Sequence, residues 1–407
     1  MSKIIINGGR RLFGEIYVSG SKNAALPILF ATIVTRGISK IKNIPDIGDV
    51  RVAMKLLSDM GARICREGDA VYIDTTELKY RDPDNLSVSR IRASTYLIGS
   101  CLARFGISSL GNYGGCNFSA RPIDMHIKAC RALGAVAESG YVRAPRLVGG
   151  NIHFEKPSVG ATINAVIMAS SAHGETVITG HAREPHVNSL VDFLISAGAD
   201  ISITDSEIRI SGRELRGGNI TVIGDMIEAG TYLAAGLITD GAVKVSGVDA
   251  ESLSAYLSIL EDIGAQNIIT TDSISSKMCR EPREVSVKAM PYPGFPTDLQ
   301  PIIAPVLSKM HGGVITDTVW ESRFGYLEAL SKFGIDYHIT DGSAHVMPSH
   351  IHHADVHSPD LRGGAACILA ALAAKGESTV HSSDTVLRGY EDLIGKMRHI
   401  GADIRIE

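Results

Sequence analysis

The chain has 407 residues, of which 44% are hydrophobic, 21% charged and only 5% aromatic, with 42 glycines. This composition excludes disorder as the dominant state, because disorder needs low hydrophobicity and high net charge; the length predicts two domains, or three, with aliphatic, small-residue cores. Forty basic residues against 44 acidic ones leave a net charge of −4, so nothing draws the chain in bulk to nucleic acid or an anionic membrane, and any anion site must be built locally.

Met1 to Gly20 carries no apolar segment of the kind a signal peptide needs and reads directly into strand-like sequence. No stretch approaches the ~20 apolar residues of a spanning helix. Six cysteines, Cys65, Cys101, Cys116, Cys130, Cys279 and Cys367, lie far apart without a CxxC pair, which argues against a disulfide framework or a zinc knot. A soluble, cytoplasmic protein is expected.

The predicted elements then recur in chain order. Apolar, Ala-rich helices are predicted at ALPILFATIVTRG, STYLIGSCLARFG, INAVIMASSAHG, GTYLAAGLITDG, QPIIAPVLSKMHG and AACILAALAAKG, closed by Gly37, Gly106, Gly174, Gly241, Gly312 and Gly376. Glycine there suits a left-handed helix cap, and helices apolar nearly all round are expected to be buried. A second series interleaves, ending at Gly61, Gly134, Gly198, Gly264, Gly334 and Gly401 in segments such as KLLSDMGARI and FLISAGADI. After each except the last comes a hairpin-like stretch such as ISITDSEIRI. Both series recur every 64–73 residues, longer than the roughly 20–50 residues of solenoid repeats. The unit is a βαβαββ-like block repeated six times, three to a domain, with apolar helices inside and sheets around them.

Charge falls in fixed places of this repeat. Just before each buried helix stand Lys22, Arg92, Ser158 with Gly160, Glu228, Asp298, and Asp360 with Arg362. Helix N-termini favour anions. Ordinary capping accounts for Ser158 and Asp298, but a cation such as Lys22, Arg92 or Arg362 opposes the dipole and calls for a bound anion. A second place, the loop before the other helix, holds Cys116 and Arg121 in NYGGCNFSARPIDMH, Arg183 and Glu184 in GHAREPHV, Arg323 in TVWESRFGY and Arg388 in TVLRGYED. Singly, each arginine reads as a solvated surface group. Together, Arg92, Arg121, Arg323, Arg362 and Arg388 in equivalent places predict a cleft between two domains that binds a small polyanion. Cys116, in a Gly-Gly-Cys-Asn loop near arginine, is expected to be a reactive thiolate, whereas Cys101 and Cys367 read as core. No GxxxxGK[ST] phosphate loop is present. His352, His353 and His357 lack metal-ligand spacing and read as an exposed loop, and Trp320 reads as core.

The motifs SGSKNAALPILFA at 19–31, IRASTYLIG at 91–99, GGC and ARPIDMH at 114–126, KPSVGAT at 156–162, AREP at 182–185, FPTDLQ at 295–300, ESRF at 321–324, DLRGGA at 360–365 and RGYE at 388–391 resemble, in order and along essentially the whole chain, the enolpyruvyl transferase family. The resemblance implies two inside-out α/β barrel domains, each of three βαβαββ repeats: residues 21–228, carrying the reactive cysteine loop, and a discontinuous domain of 1–20 with 229–407, carrying the base and the carboxylate-binding arginines. It further implies transfer of the enolpyruvyl group of phosphoenolpyruvate to the 3′-hydroxyl of UDP-N-acetylglucosamine with release of phosphate, the first committed step of peptidoglycan synthesis. Carried over residue by residue, Lys22, Arg121 and Arg388 would hold the phosphate, and Arg323 and Arg362 the carboxylate. Asp298 would take the sugar hydroxyl proton, and Cys116 would add to phosphoenolpyruvate, serve as acid and be the target of fosfomycin. Asn23 and Arg92 would face the sugar and diphosphate, with Arg121 and Val319 also on the UDP-sugar. Pro122, Asp124, Met125, Lys156, Ser158, Val159 and Gly160 would cradle uridine. No metal, organic cofactor, nucleic acid, membrane insertion or obligate protein partner is implied. The alternatives are transfer to another uridine nucleotide, the shikimate-pathway reaction of the same fold, and a non-catalytic UDP-sugar sensor.

Overall fold

The computed structural model describes residues 2–82, 88–111, 113–114, 122–321 and 323–407. These divide into two units, one of residues 2–19 with 224–407 and one lying within 20–223. Each unit has its own aliphatic core.

Three helices fill the centre of each unit. In the 20–223 unit they are α1 (Lys22–Ala31), α2 (Tyr96–Phe105) and α3 (Val159–Ala169). The other unit has α4 (Met226–Ile238), α5 (Gln300–Lys309) and α6 (Leu361–Ala373). Residues Ala161–Ala169 of α3 and Leu361–Leu372 of α6 are buried without a break, as helices apolar on all sides should be. α1 packs on α2 and α2 on α3, while α4, α5 and α6 pack pairwise. Their openings differ. Ser158, Asp225 and Asp360 cap α3, α4 and α6 by accepting backbone N–H bonds. α2 and α5 open instead through 3-10 turns, Arg92–Thr95 and Thr297–Leu299.

Small separate sheets and six amphipathic outer helices surround these centres. The outer helices are Gly48–Asp59, Asp124–Ala132, Pro185–Ser196, Ser254–Asp262, Tyr326–Ser331 and Leu393–His399. Among the described residues there are five four-stranded sheets and one of three strands, and none closes into a continuous barrel. Each four-stranded sheet builds an antiparallel core around a strand such as Ala242–Ser246 and adds one parallel strand, here Phe13–Tyr17 with Val245 opposite Ile16. In the sixth repeat the hairpin missing from the sequence is made from both chain ends. Lys3–Gly8 lies between Gly376–His381 and Asp403–Ile406, antiparallel to both, with Ile6 opposite Ser378 and Ile404. That pairing places the N-terminal strands in the same unit as the C-terminal half.

The six glycines after the outer helices all take positive φ, from 83° at Gly334 to 103° at Gly61 and Gly264, the left-handed geometry glycine adopts without strain. The inner series is less uniform than expected. Gly106 caps α2 directly with φ 73°. At the end of α4 it is Asp240 that turns left-handed, with φ 55°, and Gly241 is needed because a Cβ would lie 2.0 Å from the Leu12 carbonyl oxygen. Cys101 and Cys367 are buried as expected. Trp320 is half-buried rather than core, and His357 lies on the strand Asp355–His357, stacked on His381, rather than in a loop.

The role of the N-terminal strand is testable. Ile6 is fully buried whereas Phe13 is 56% exposed. Ile6→Ala should lower stability by about 3 kcal/mol and Phe13→Ala by a few tenths, as read by thermal and urea unfolding.

Candidate active site

In the unit containing α4–α6, the site is organised by one carboxylate. Because α5 opens through a 3-10 turn, Asp298 does not cap its helix and its side chain is left to other partners. Arg362, the second residue of α6, places Nε and Nη2 each 3.2 Å from Asp298 Oδ2. Arg323 places Nη1 2.9 Å from Asp298 Oδ1. Arg323 and Arg362 are 3% and 2% exposed, whereas the Asp298 side chain is 29% exposed. Water therefore reaches the carboxylate from one side while the guanidinium groups sit behind it.

Each arginine is held from behind. Arg323 Nη1 also donates to Thr297 Oγ1 at 3.0 Å, and the Thr297 hydroxyl donates to buried Asp317 at 2.6 Å. The other Asp317 oxygen accepts the backbone N–H of Val319 at 2.9 Å and of Trp320 at 2.8 Å, which ties Val319 to the same cluster. The Arg362 guanidinium lies 5.2 Å over the Tyr390 ring. Its Nη1 has no hydrogen-bond partner among the described residues although the side chain is buried. Buried cations are costly unless fully hydrogen-bonded, so an uncommitted donor beside a second arginine is chemically suited to an incoming anion.

Nearby in the same unit, Glu228 of α4 is buried and bonded to Lys396 Nζ at 2.6 Å and to the Ser19 N–H at 2.9 Å. Burial pushes the Glu228 carboxyl pKa up, with Lys396 opposing the shift. Arg388 is half-buried at the end of the short helix Asp384–Leu387, two residues before Tyr390.

In the unit containing α1–α3, Lys22 begins α1 and lies 3.3 Å from Oδ2 of buried Asp49, with Asn23 half-buried beside it. Arg92 is half-buried in the 3-10 lead-in to α2, where burial lowers its pKa. A buried amide–imidazole pair gathers the rest. Asn164 of α3 accepts the Gly99 N–H through Oδ1 at 2.6 Å and donates through Nδ2 to the Thr95 carbonyl at 3.0 Å and to His126 Nδ1 at 2.7 Å. Because Gly99 fixes the amide, His126 Nδ1 accepts and Nε2 carries the proton. Gly160, at the first turn of α3, sits close against the imidazole: a Cβ there would lie 3.1 Å from His126 Cε1. This pair brings the lead-in of Arg92, the first turn of Asp124–Ala132 with Asp124 and Met125, and the α3 opening Ser158–Gly160 into one neighbourhood. Pro122 and Lys156 are exposed on the segments leading into it.

The predicted convergence of arginines is thus partly met. Arg323 and Arg362 meet on Asp298, whereas Arg92 belongs to the other unit. Arg183 pairs with Asp205 at 2.6 Å on the surface, the ordinary reading of a lone arginine. Cys116 and Arg121 lie outside the described residues. Sequence reasoning missed Asp49, His126, Asn164, Thr231, Thr297, Asp317 and Tyr390. His126, Thr297 and Tyr390 lie within the motifs ARPIDMH, FPTDLQ and RGYE, beside charged residues whose signal is stronger than theirs. Asp49 and Asn164 carry no local signal.

A sixfold βαβαββ repeat folded as two units is the architecture of enolpyruvyl transferases. The chain belongs to the EPSP synthase (3-phosphoshikimate 1-carboxyvinyltransferase) family, whose sequence profile matches residues 6–397. It is 41% identical to a UDP-N-acetylglucosamine 1-carboxyvinyltransferase of Halothermothrix orenii, covering 100% of this chain and 99% of that protein. It is 38% identical to UDP-N-acetylglucosamine 1-carboxyvinyltransferase 2 of Clostridium acetobutylicum, covering 100% of both. Among solved structures, the enolpyruvyl transferase NikO from Streptomyces tendae matches with a TM-score of 0.90 at 28% identity, over 100% of this chain and 99% of that one.

The buried imidazole makes a pH prediction. Burial, helped by the charge of Arg92, pushes the His126 pKa from 6.5 down to about 4. Above pH 6.5 the ring is neutral in folded and unfolded chains alike. Below it the unfolded chain takes up a proton that the folded chain refuses, so stability falls as pH drops from 6.5 towards 4. By pH 5 the loss from this group should reach about 2 kcal/mol. His126→Gln, which cannot titrate, should flatten that part of the profile in urea unfolding at a series of pH values.

Proposed function

We propose that this protein transfers the enolpyruvyl group of phosphoenolpyruvate to the 3′-hydroxyl of UDP-N-acetylglucosamine and releases phosphate, as the first committed step of peptidoglycan synthesis in the cytoplasm. The observation that carries the reading is Asp298 held between buried Arg323 and Arg362, with Arg362 Nη1 uncommitted. The full-length likeness to proteins named for this reaction supports the choice of acceptor.

The chemistry assigns a role to each group. A sugar hydroxyl is a poor nucleophile, and Asp298, flanked by two guanidinium groups yet open to water, takes its proton as the oxygen bonds to C2 of phosphoenolpyruvate. The C3 methylene receives a proton at the same stage, supplied by the Cys116 thiol, and a tetrahedral ketal results. The Cys116 thiolate left by that step then takes a proton back from the new methyl group, which expels phosphate and restores the double bond in the product. Arg323 and Arg362 bind the carboxylate of phosphoenolpyruvate; Lys22, Arg121 and Arg388 bind its phosphate and stabilise the charge on the leaving group. Asp49 keeps the Lys22 ammonium in place. On the acceptor, Asn23 and Arg92 serve the sugar and diphosphate, Val319 the sugar nucleotide, and Pro122, Asp124, Met125, Lys156, Ser158, Val159 and Gly160 the uridine.

The test is phosphate release from phosphoenolpyruvate and UDP-N-acetylglucosamine, with and without fosfomycin, for the native chain and Cys116→Ser. The expected result is turnover in the native chain that fosfomycin abolishes, together with resistance of Cys116→Ser to covalent inactivation. Release only with another uridine nucleotide, or only with shikimate 3-phosphate, would move the acceptor. Binding of the UDP-sugar without release of phosphate under any condition would favour a sensor.

A further inference from the structure

Arginine is long and flexible, so the registration of Arg362 on Asp298 needs a cause. Its backbone sets only where the side chain starts, since the Arg362 N–H is taken by the Asp360 cap at 2.9 Å. The guanidinium rests on the Tyr390 ring at 5.2 Å, and Tyr390 is itself pinned. Its hydroxyl lies 3.0 Å from Thr231 Oγ1. Thr231 has one hydroxyl proton, and it is directed to the Ile227 carbonyl at 2.8 Å, so the Tyr390 hydroxyl is the donor. Burial raises the Tyr390 pKa, which keeps the hydroxyl neutral and able to donate. A continuous line therefore runs from the first turns of α4, through Thr231 and Tyr390, to Arg362 of α6 and on to Asp298 before α5. The charged groups facing this line are Asp225 at the α4 cap, Asp360 at the α6 cap, Asp298, and Arg323 across Asp298.

We propose that Tyr390, anchored by its hydroxyl to Thr231, is the positioning residue that registers the Arg362 guanidinium on Asp298, and so governs both the proton affinity of that carboxylate and the capture of the phosphoenolpyruvate carboxylate. This rests on the roles given above to Asp298 and Arg362. Tyr390 touches neither substrate in this account. It acts through Arg362 alone.

Two near-isosteric variants remove the link. Tyr390→Phe keeps the ring and deletes the hydroxyl; Thr231→Val keeps the shape and deletes the acceptor. With the guanidinium less well held, Asp298 spends part of its time without that partner and binds a proton more readily. The acid limb of the pH–rate profile should move up by about half a pH unit, a threefold change in proton affinity. The KM for phosphoenolpyruvate should rise roughly three- to tenfold, as expected for losing part of one charge-assisted contact, while the KM for the UDP-sugar stays put. The double variant should be no worse than Tyr390→Phe, because both changes cut the same link.

A carbon-13 NMR titration of the Asp298 carboxyl, in native and variant proteins without substrates, reads the same effect without turnover. Thermal melts establish that each variant is folded. An upward move of the Asp298 midpoint in both single variants supports the proposal even if the native chain fails to use UDP-N-acetylglucosamine, in which case only the acceptor reading falls. Folded variants with an unmoved Asp298 midpoint overturn the proposal, and a lowered melting temperature alone would show that Tyr390 is merely core.

Discussion

Two guanidinium groups almost wholly withdrawn from water are the costliest feature of the α4–α6 unit, and Asp298 is what makes them tolerable. Cations so deeply buried persist only when an anion and hydrogen-bond acceptors surround them, and here one carboxylate serves both. The surrounding structure follows from that demand. α5 opens through a 3-10 turn that leaves Asp298 uncommitted to capping, Thr297 and Asp317 fix Arg323, and Tyr390 underlies Arg362. The charge sum of the three groups is positive, and among the described residues one donor of Arg362 has no acceptor. An arrangement built this way is stable enough to fold, yet it gains when a second anion arrives.

The repeat explains how such a place arises. Six helix openings begin as equivalent positions offering free N–H groups. Three of them, at α3, α4 and α6, are satisfied by Ser158, Asp225 and Asp360 in the ordinary capping manner. The openings of α1, α2 and α5 carry Lys22, Arg92 and Asp298 instead, none of which caps its helix. Three of the groups proposed to act on substrate, Lys22, Arg92 and Asp298, stand at openings where side-chain capping is absent, while Arg362 and Ser158 stand at capped ones.

Much of this was legible in the sequence because its causes are local and periodic. Glycines at a fixed spacing mark the left-handed turns after the outer helices, and unbroken apolar runs mark buried helices. Even the hairpin absent after Gly401 was visible, although not that Lys3–Gly8 supplies it, because strand pairing between chain ends leaves no local trace. Gly241 was misjudged for a related reason: its need is contact with the distant Leu12 carbonyl, not its own φ. In the site, charged residues in odd positions drew notice, while the neutral groups that orient them did not. Asn164 looks like one polar residue in an apolar helix until His126, Thr95 and Gly99 surround it. Asp49 is one acid in an amphipathic helix until Lys22 meets it. Such partners are defined only by the fold.

Asp298 is the counter-charge of the two arginines, and in the proposed reaction it also takes the acceptor's proton. Asp298→Asn separates the two duties, because the amide keeps the shape, cannot take the proton and no longer competes as an anion for Arg323 and Arg362. The decisive measurement is calorimetric phosphoenolpyruvate binding alongside phosphate release for this variant, with a thermal melt to establish folding. Turnover should fall by about 10²–10⁴, with phosphoenolpyruvate affinity retained or tightened. Affinity lost in step with activity, or activity retained, would contradict it.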